Sequence, residues 1–210
     1  MCITPQQMRE MDRFTIEKLG VPSILLMENA KNAFMKHVAS HRHYLVLCGT
    51  GNNGGDGLAI ARELILNHKD VIIGILGDPQ RGTEDFKINY RILKNLRANI
   101  VDAFHYDEYE KFDIDDCIID AVFGTGLERE IAGEYRRVIE RVNQTKAYKM
   151  SVDIPSGIHG ESGETMGVSF DADIVITFHR KKLGLQKIDA QVITEHIGIP
   201  DFVTDIILDQ

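Results

Sequence analysis

The chain has no tryptophan, only five prolines, and no apolar run long enough to cross a bilayer. Its longest aliphatic stretches, Ile24-Leu25-Leu26-Met27 and Val71-Ile72-Ile73, fall far short of the roughly 20 residues a membrane helix needs. The amino terminus, Met1-Cys2-Ile3-Thr4-Pro5, lacks the basic segment and apolar stretch of a secretory leader. Positive charge is scarce: 24 Lys and Arg face 32 Asp and Glu, a net charge of −8. That balance argues against a nucleic-acid partner, because neutralising phosphates needs clustered Lys and Arg, and Arg180-Lys181-Lys182 is the one short basic cluster. Cysteine is scarce as well. Cys2, Cys48 and Cys117 are odd in number and lack CxxC spacing, which argues against a disulfide framework or a zinc knuckle and fits a reducing cytoplasm. No fixed-period repeat and no Pro/Gly/Ser-rich linker divides the 210 residues, so one domain over 1–210 is expected.

What is present reads as alternation. Thr4-Pro5-Gln6-Gln7 has the pattern of an N-cap, a proline at the first helical position and a capping-box Gln. It predicts a first helix with Met8, Met11, Thr15 and Leu19 on one face, stopped by Gly20 and Pro22. A second helix follows Ser23 and runs to about Val38, giving an N-terminal helix pair. From residue 44, short apolar runs alternate with amphipathic stretches. Strands are expected at 44–48, 71–76, 117–119, 149–152 and 174–178, with shorter ones at 99–102 and 191–194. Helices are expected after Gly57, after Thr83 and around Tyr135–Val142. Near-continuous apolar strands suit a parallel sheet covered on both faces, so the expected fold is a three-layer α/β/α Rossmann-like domain with a mostly parallel central sheet.

Parallel strands place all their C-terminal ends on one edge, where such folds bind ligands. Three strands run into unusual turns: Gly49-Thr-Gly-Asn-Asn-Gly-Gly-Asp-Gly57, Asp120-Ala-Val-Phe-Gly-Thr-Gly126 and Asp153-Ile-Pro-Ser-Gly157. Gly49, Gly51 and Gly54 satisfy GxGxxG, and a helix after Gly57 would aim backbone N–H groups at an anion such as a pyrophosphate. A dehydrogenase would use Asp78 at the end of the next strand as its ribose reader, yet Asn52, Asn53 and Asp56 place polar side chains where that fingerprint wants bare backbone. No Lys-Ser/Thr follows the glycines, so the loop is not a P-loop. Asn53, Asp120 and Ser156 offer oxygen donors only, with one formal negative charge between them. That set suits a hard monovalent cation. The histidines His37, His41, His43, His68 and His105 are expected to be solvated, and His179 to pack at the surface.

With Met27-Glu28-Asn29-Ala30, Lys182-Leu-Gly-Leu185 and Ile197-Gly-Ile-Pro200, these ordered motifs resemble the NAD(P)H-hydrate epimerase family, the YjeF N-terminal domain family. His179-Arg180-Lys181 stands where that family often has a smaller Gly-Ala-Pro type sequence. The resemblance implies an isomerase that interconverts the R and S forms of hydrated NADH and NADPH, consuming no redox cofactor. It implies that Asn52, Asn53, Gly54, Gly55, Asp56, Gly124, Thr125, Gly126, Leu127, Glu128, Arg129, Glu130 and Asp153 bind substrate. One potassium ion per subunit would sit on Asn53, Asp120 and Ser156, and Asp153 would be the acid/base residue serving both halves of the reaction. A separate NAD(P)H-hydrate dehydratase would act downstream, since the chain stops at Gln210 without that domain, and a homodimer is expected. An Asp153→Asn chain is expected to fold normally and lose most activity. Two other classes remain open: an NAD(P)-dependent oxidoreductase and a non-catalytic nucleotide-binding scaffold.

Overall fold

In the computed structural model, which describes residues 1–209, the chain opens with a two-residue strand, β1 (Cys2–Ile3), and two helices, α1 (Pro5–Glu17) and α2 (Ser23–Met35). The capping box of α1 is closed: the Thr4 hydroxyl accepts from the Gln7 amide at 3.1 Å while the Gln7 side chain accepts from the Thr4 amide at 2.8 Å. Met8, Met11 and Thr15 are buried, but Leu19 lies past the end of α1 and is exposed. The second helix stops at Met35, short of Val38.

Next come β2 (His43–Cys48), α3 (Asn52–Leu66), β3 (Asp70–Ile75), α4 (Glu84–Asn95) and β4 (Asn99–Asp102). The second half carries β5 (Cys117–Ala121), α5 (Gly133–Asn143), β6 (Tyr148–Val152), β7 (Ile174–Phe178), β8 (Lys181–Lys182), β9 (Gln191–Glu195) and α6 (Asp201–Leu208). Seven strands form one sheet in the order β4-β3-β2-β5-β6-β7-β9, and every neighbouring pair is parallel. Val46, Cys48, Ile73 and Ile119 point into a core shared with α1, α2, α3, α4 and α6, while Leu45, Leu47 and Ile118 face α5 and the 103–131 segment. Burial on both faces is what the unbroken apolar strands require.

Larger departures from expectation lie elsewhere. The helix predicted after Gly57 starts at Asn52, so Asn-Asn-Gly-Gly-Asp-Gly is helix and not loop. The parallel pairing of β1 with β8 fastens the amino terminus beside Lys182, and two-residue strands leave no periodic signal. Helix α6 was not expected at all. It is held by Arg180, whose guanidinium meets Asp201 at 2.7 Å, and by His179, whose Nε2 lies 2.7 Å from the Thr204 hydroxyl. The larger His179-Arg180-Lys181 sequence thus docks the last helix.

His179 is fully buried rather than a surface residue, and His37 is also engaged, 2.8 Å from Glu195. Burial, then the neighbouring Arg180 charge, pulls the His179 imidazole down from 6.5 to about 4. Its folded-state value lies below the unfolded one, so its contribution is fully present above pH 6.5 and is lost as pH falls towards 4. By pH 4 the loss should reach about 3 kcal/mol. His179→Asn removes the titration and tolerates the residue's positive φ of 63°. Urea unfolding at pH 7 and pH 4 should therefore show a smaller acid-induced loss for the variant than for the parent. Parallel pH curves would remove His179 from this role.

Candidate active site

The chain order of the sheet reverses between β2 and β5, because β3 and β4 lie to one side and β6, β7 and β9 to the other. Ligands of open α/β sheets bind at such a reversal, outside the C-terminal strand ends. A cleft of about 490 Å³ lies there, lined by residues of α1, α2, the start of α3, the 122–127 loop, Asp153 and Lys182.

Close backbone approach builds its base. A Cβ on Gly49 would overlap the Val122 carbonyl oxygen, and one on Gly54 would sit 2.6 Å from the Gly49 carbonyl carbon. The two loops at the reversal therefore touch through backbone. Gly51 is the N-cap of α3 and supplies no side-chain cap, so the first N–H groups of the helix, at Asn52 and Asn53 in the lining, are free for an anion.

Asp153 ends β6 in a sharp reversal. Its φ is +65°, and Ile154 N–H donates back to Val152 O at 2.8 Å, closing a γ-turn centred on Asp153. A non-glycine residue in that region stores strain, which is commonest at functional sites. The turn aims the carboxylate across the end of β7, where Oδ1 accepts from Thr177 Oγ1 and Phe178 N, each at 3.1 Å. It also meets the ammonium of Lys182, a side chain with no exposed surface. The ammonium is completed by Phe178 O at 2.9 Å and Thr177 Oγ1 at 3.1 Å. The sequence marks Lys182 only as part of a motif; a basic residue just past a strand end was the available signal.

Asp120 is wholly buried at the end of β5. It accepts from Ser156 N at 2.7 Å, Ser156 Oγ at 2.5 Å, Ser151 Oγ at 3.0 Å and Val122 N at 3.2 Å. Burial pushes its carboxyl up, and these donors pull it back. Ser156 Oγ in turn accepts from Phe123 N at 2.8 Å. Asn53 packs on the adjoining Gly124, and its buried Nδ2 has no partner among the described residues. Asn53, Asp120 and Ser156 are therefore grouped around Phe123-Gly124. Among the described residues, no three His, Cys, Asp or Glu side chains gather as a metal-binding group.

Of the remaining predicted positions, Asn52, Asp56 and Gly124 through Leu127 line the cleft. Gly54 and Gly55 are buried in α3, Gly55 against Met27. Glu128, Arg129 and Glu130 are exposed beyond the lining. Asp78 is exposed outside the cleft and accepts from Gln80 N at 2.9 Å, capping a short 3₁₀ turn. The dehydrogenase reading thus has no ribose reader at that residue.

The N-terminal helix pair supplies a further wall, of which the motifs announced only the part around Met27 and Ala30. Met8, Arg9, Asp12, Ile16 and Met27 line it, and the Arg9 guanidinium reaches over to Thr125 O at 3.4 Å. Burial lifts the Asp12 carboxyl to about 6, with Lys182 opposing the rise and Asp153 adding to it. Burial, then the charges of Asp153 and Asp12, likewise pushes Asp56 up. A cleft lined by Asp12, Asp56, Asp85 and Asp153 can accept an anionic ligand when Asp12 and Asp56 hold protons.

The family model for YjeF-related protein N-terminus matches residues 23–184. The chain is 36% identical over 209 residues to the NAD(P)H-hydrate epimerase of Anaerococcus prevotii, covering 95% of this chain and 96% of that protein. It is 36% identical over 205 residues to the protein of the same name from Limosilactobacillus fermentum, with 95% of each covered. It also matches the bifunctional NAD(P)H-hydrate repair enzyme Nnr of Thermofilum pendens at 36% identity, covering 92% of this chain but 39% of that longer protein. The crystal structure of yeast ynu0 superposes with a TM-score of 0.78 at 20% identity, covering 93% of this chain and 88% of that one.

Proposed function

Because the chain belongs to the YjeF-related N-terminal family, we infer that it is an NAD(P)H-hydrate epimerase, an isomerase that interconverts the R and S forms of hydrated NADH and NADPH. The identity to proteins of that name over nearly the whole of both chains carries the reading. The cleft suits it chemically. A hydroxyl on the ring carbon beside N1 is a hemiaminal, so the nitrogen lone pair helps expel it once its oxygen is protonated. The planar iminium then accepts water on the other face. Asp153, aimed into the cleft and held by Thr177, Phe178 N–H and Lys182, supplies acid/base catalysis, typically worth roughly 10²–10⁴-fold. The free N–H groups opening α3 suit the pyrophosphate.

The long Nnr relative, of which the matched region is 39%, is itself named a bifunctional NAD(P)H-hydrate repair enzyme. That suits a dehydratase acting on the product here. A coupled assay tests the placement. With an S-specific dehydratase present, adding this protein should return the whole hydrate mixture to intact cofactor. Persistence of the R form at the rate seen in buffer would contradict it.

One potassium ion on Asn53, Asp120 and Ser156 completes the proposal. The fit rests on a fully buried carboxylate with no cationic side chain bonded to it among the described residues, and on the Ser156 hydroxyl oxygen in contact with it. A cation there would offset the desolvation of Asp120 and fix the three loops at the mouth of the cleft. Binding the folded state alone, potassium should raise the melting temperature by mass action, each kcal/mol giving about 2–4 °C for a domain of this size. Lithium at equal ionic strength should do less, and Asp120→Ala should erase the difference. Identical melting curves of the parent in both salts would count against a selective site.

A further inference from the structure

Inversion at C6 poses a geometric problem that one carboxyl does not solve. The departing and arriving oxygens lie on opposite faces of the ring, whereas Asp153 is fixed at the sheet edge by three contacts. Asp12 enters the same cleft from a different wall. It lies in the stripe Met8, Asp12, Ile16 of α1, at the four-residue spacing that keeps one helix face towards the cleft. Among the described residues it makes no side-chain hydrogen bond or ion pair, so no structural contact occupies it.

We propose that Asp12 is the second acid/base residue of the epimerisation, serving the ring face opposite the one served by Asp153. This rests on the epimerase reading above. The two carboxyls stand in different settings, the arrangement that separates an acid from a base. The charge of Asp153 is balanced by Lys182 in direct contact. Among the described residues, Asp12 has no cation in contact. The charged groups of the cleft around it are Asp56 of α3, Asp85 of α4, Asp153 and Lys182, while Arg9, one turn earlier on its own helix, is turned to Thr125 O. Burial outweighs Lys182 and lifts Asp12 to about 6.

In one direction, protonated Asp12 gives its proton to the C6 hydroxyl. The C6–O bond breaks with its electrons on oxygen, water leaves, and the N1 lone pair closes the C=N bond. A second water forms the new C6–O bond from the other face, the C=N electrons return to N1, and the water's proton passes to Asp153. The opposite direction runs through the same pair with the roles exchanged. One water leaves and one enters, so no co-reactant is needed.

Asp12→Asn tests this by R/S exchange kinetics, hydrate binding and melting temperature measured together. The expected result is a fall in kcat of about 10²-fold or more, with hydrate binding and melting temperature retained. Asp12→Glu should recover part of the rate. The fall in parental kcat/KM on the alkaline side of about pH 6 should be missing from the Asn variant and displaced in the Glu variant. An Asn variant as fast as the parent overturns the assignment. So does a loss of rate matched by an equal loss of binding, which would make Asp12 a binding residue. If the Asn variant fails to fold, an unmoved pH limb in Asp12→Glu overturns it equally. A parent protein that does not exchange the hydrates would instead overturn the function on which the assignment rests.

Discussion

Replacing Asp153 by Asn should slow R/S exchange of the hydrates by about 10²–10⁴-fold, the usual worth of a positioned acid/base group. It should also destabilise the protein. The sequence alone suggests a variant that folds normally, because Asn keeps the shape of Asp. The structure corrects this: Lys182 is wholly buried and its only anionic partner among the described residues is Asp153. Removing one member of a buried ion pair typically costs about 3–5 kcal/mol. Asn retains the acceptor towards Thr177 and Phe178, which should place the loss at the lower end. Urea unfolding and exchange kinetics on the same preparation measure both effects. An Asn variant with parental rates would remove Asp153 from the chemistry, and one with parental stability would mean that Lys182 is not held by charge.

Gly54→Ala should also cost stability and should take the site with it. The added methyl would overlap the Gly49 carbonyl oxygen and lie 2.6 Å from its carbon. Both groups are backbone, so no side chain can swing aside, and overpacking of this kind typically costs about 1–3 kcal/mol or more. The strain falls on the contact that seats α3 against the end of β2, so binding of the hydrates should fail along with stability. Gly126→Ala is the control, since nothing lies within 4 Å of the position its Cβ would take. Thermal unfolding of the two variants should separate them clearly. Equal melting temperatures would show that the β2–α3 approach is looser than described.

The sheet was legible because inner strands such as β2, β5 and β7 are buried on both faces and read as apolar runs; the half-exposed edge strands β4 and β9 also fall where their short patterns put them. The three loops of the site were legible as departures from that pattern, each a strand end followed by Asp or Gly. What escaped has a physical cause in each case. Asn52 to Gly57 looks like loop because three glycines weaken helix propensity, yet tertiary contact with Gly49 and Met27 demands a helix with no side chain there. Lys182 owes its role to pairing with a residue 29 positions away, which no local spacing reveals. Asp12 lies beside the apolar face of α1, where a carboxylate reads as solvated until the cleft closes over it. Helix α6 is short, and the contacts that hold it come from His179 and Arg180, more than twenty residues earlier.

The measurement that bears most directly on the whole account is the R/S composition of hydrated NADH and NADPH over time, resolved by chromatography, with purified protein and with buffer alone. The protein should drive each pure hydrate to the same R/S mixture faster than buffer, without ATP or ADP, and with little preference between the two cofactors. An unchanged rate with tight binding of the hydrates would make this chain a non-catalytic scaffold. Hydride transfer from intact NADH to a carbonyl compound, with no exchange, would make it an oxidoreductase.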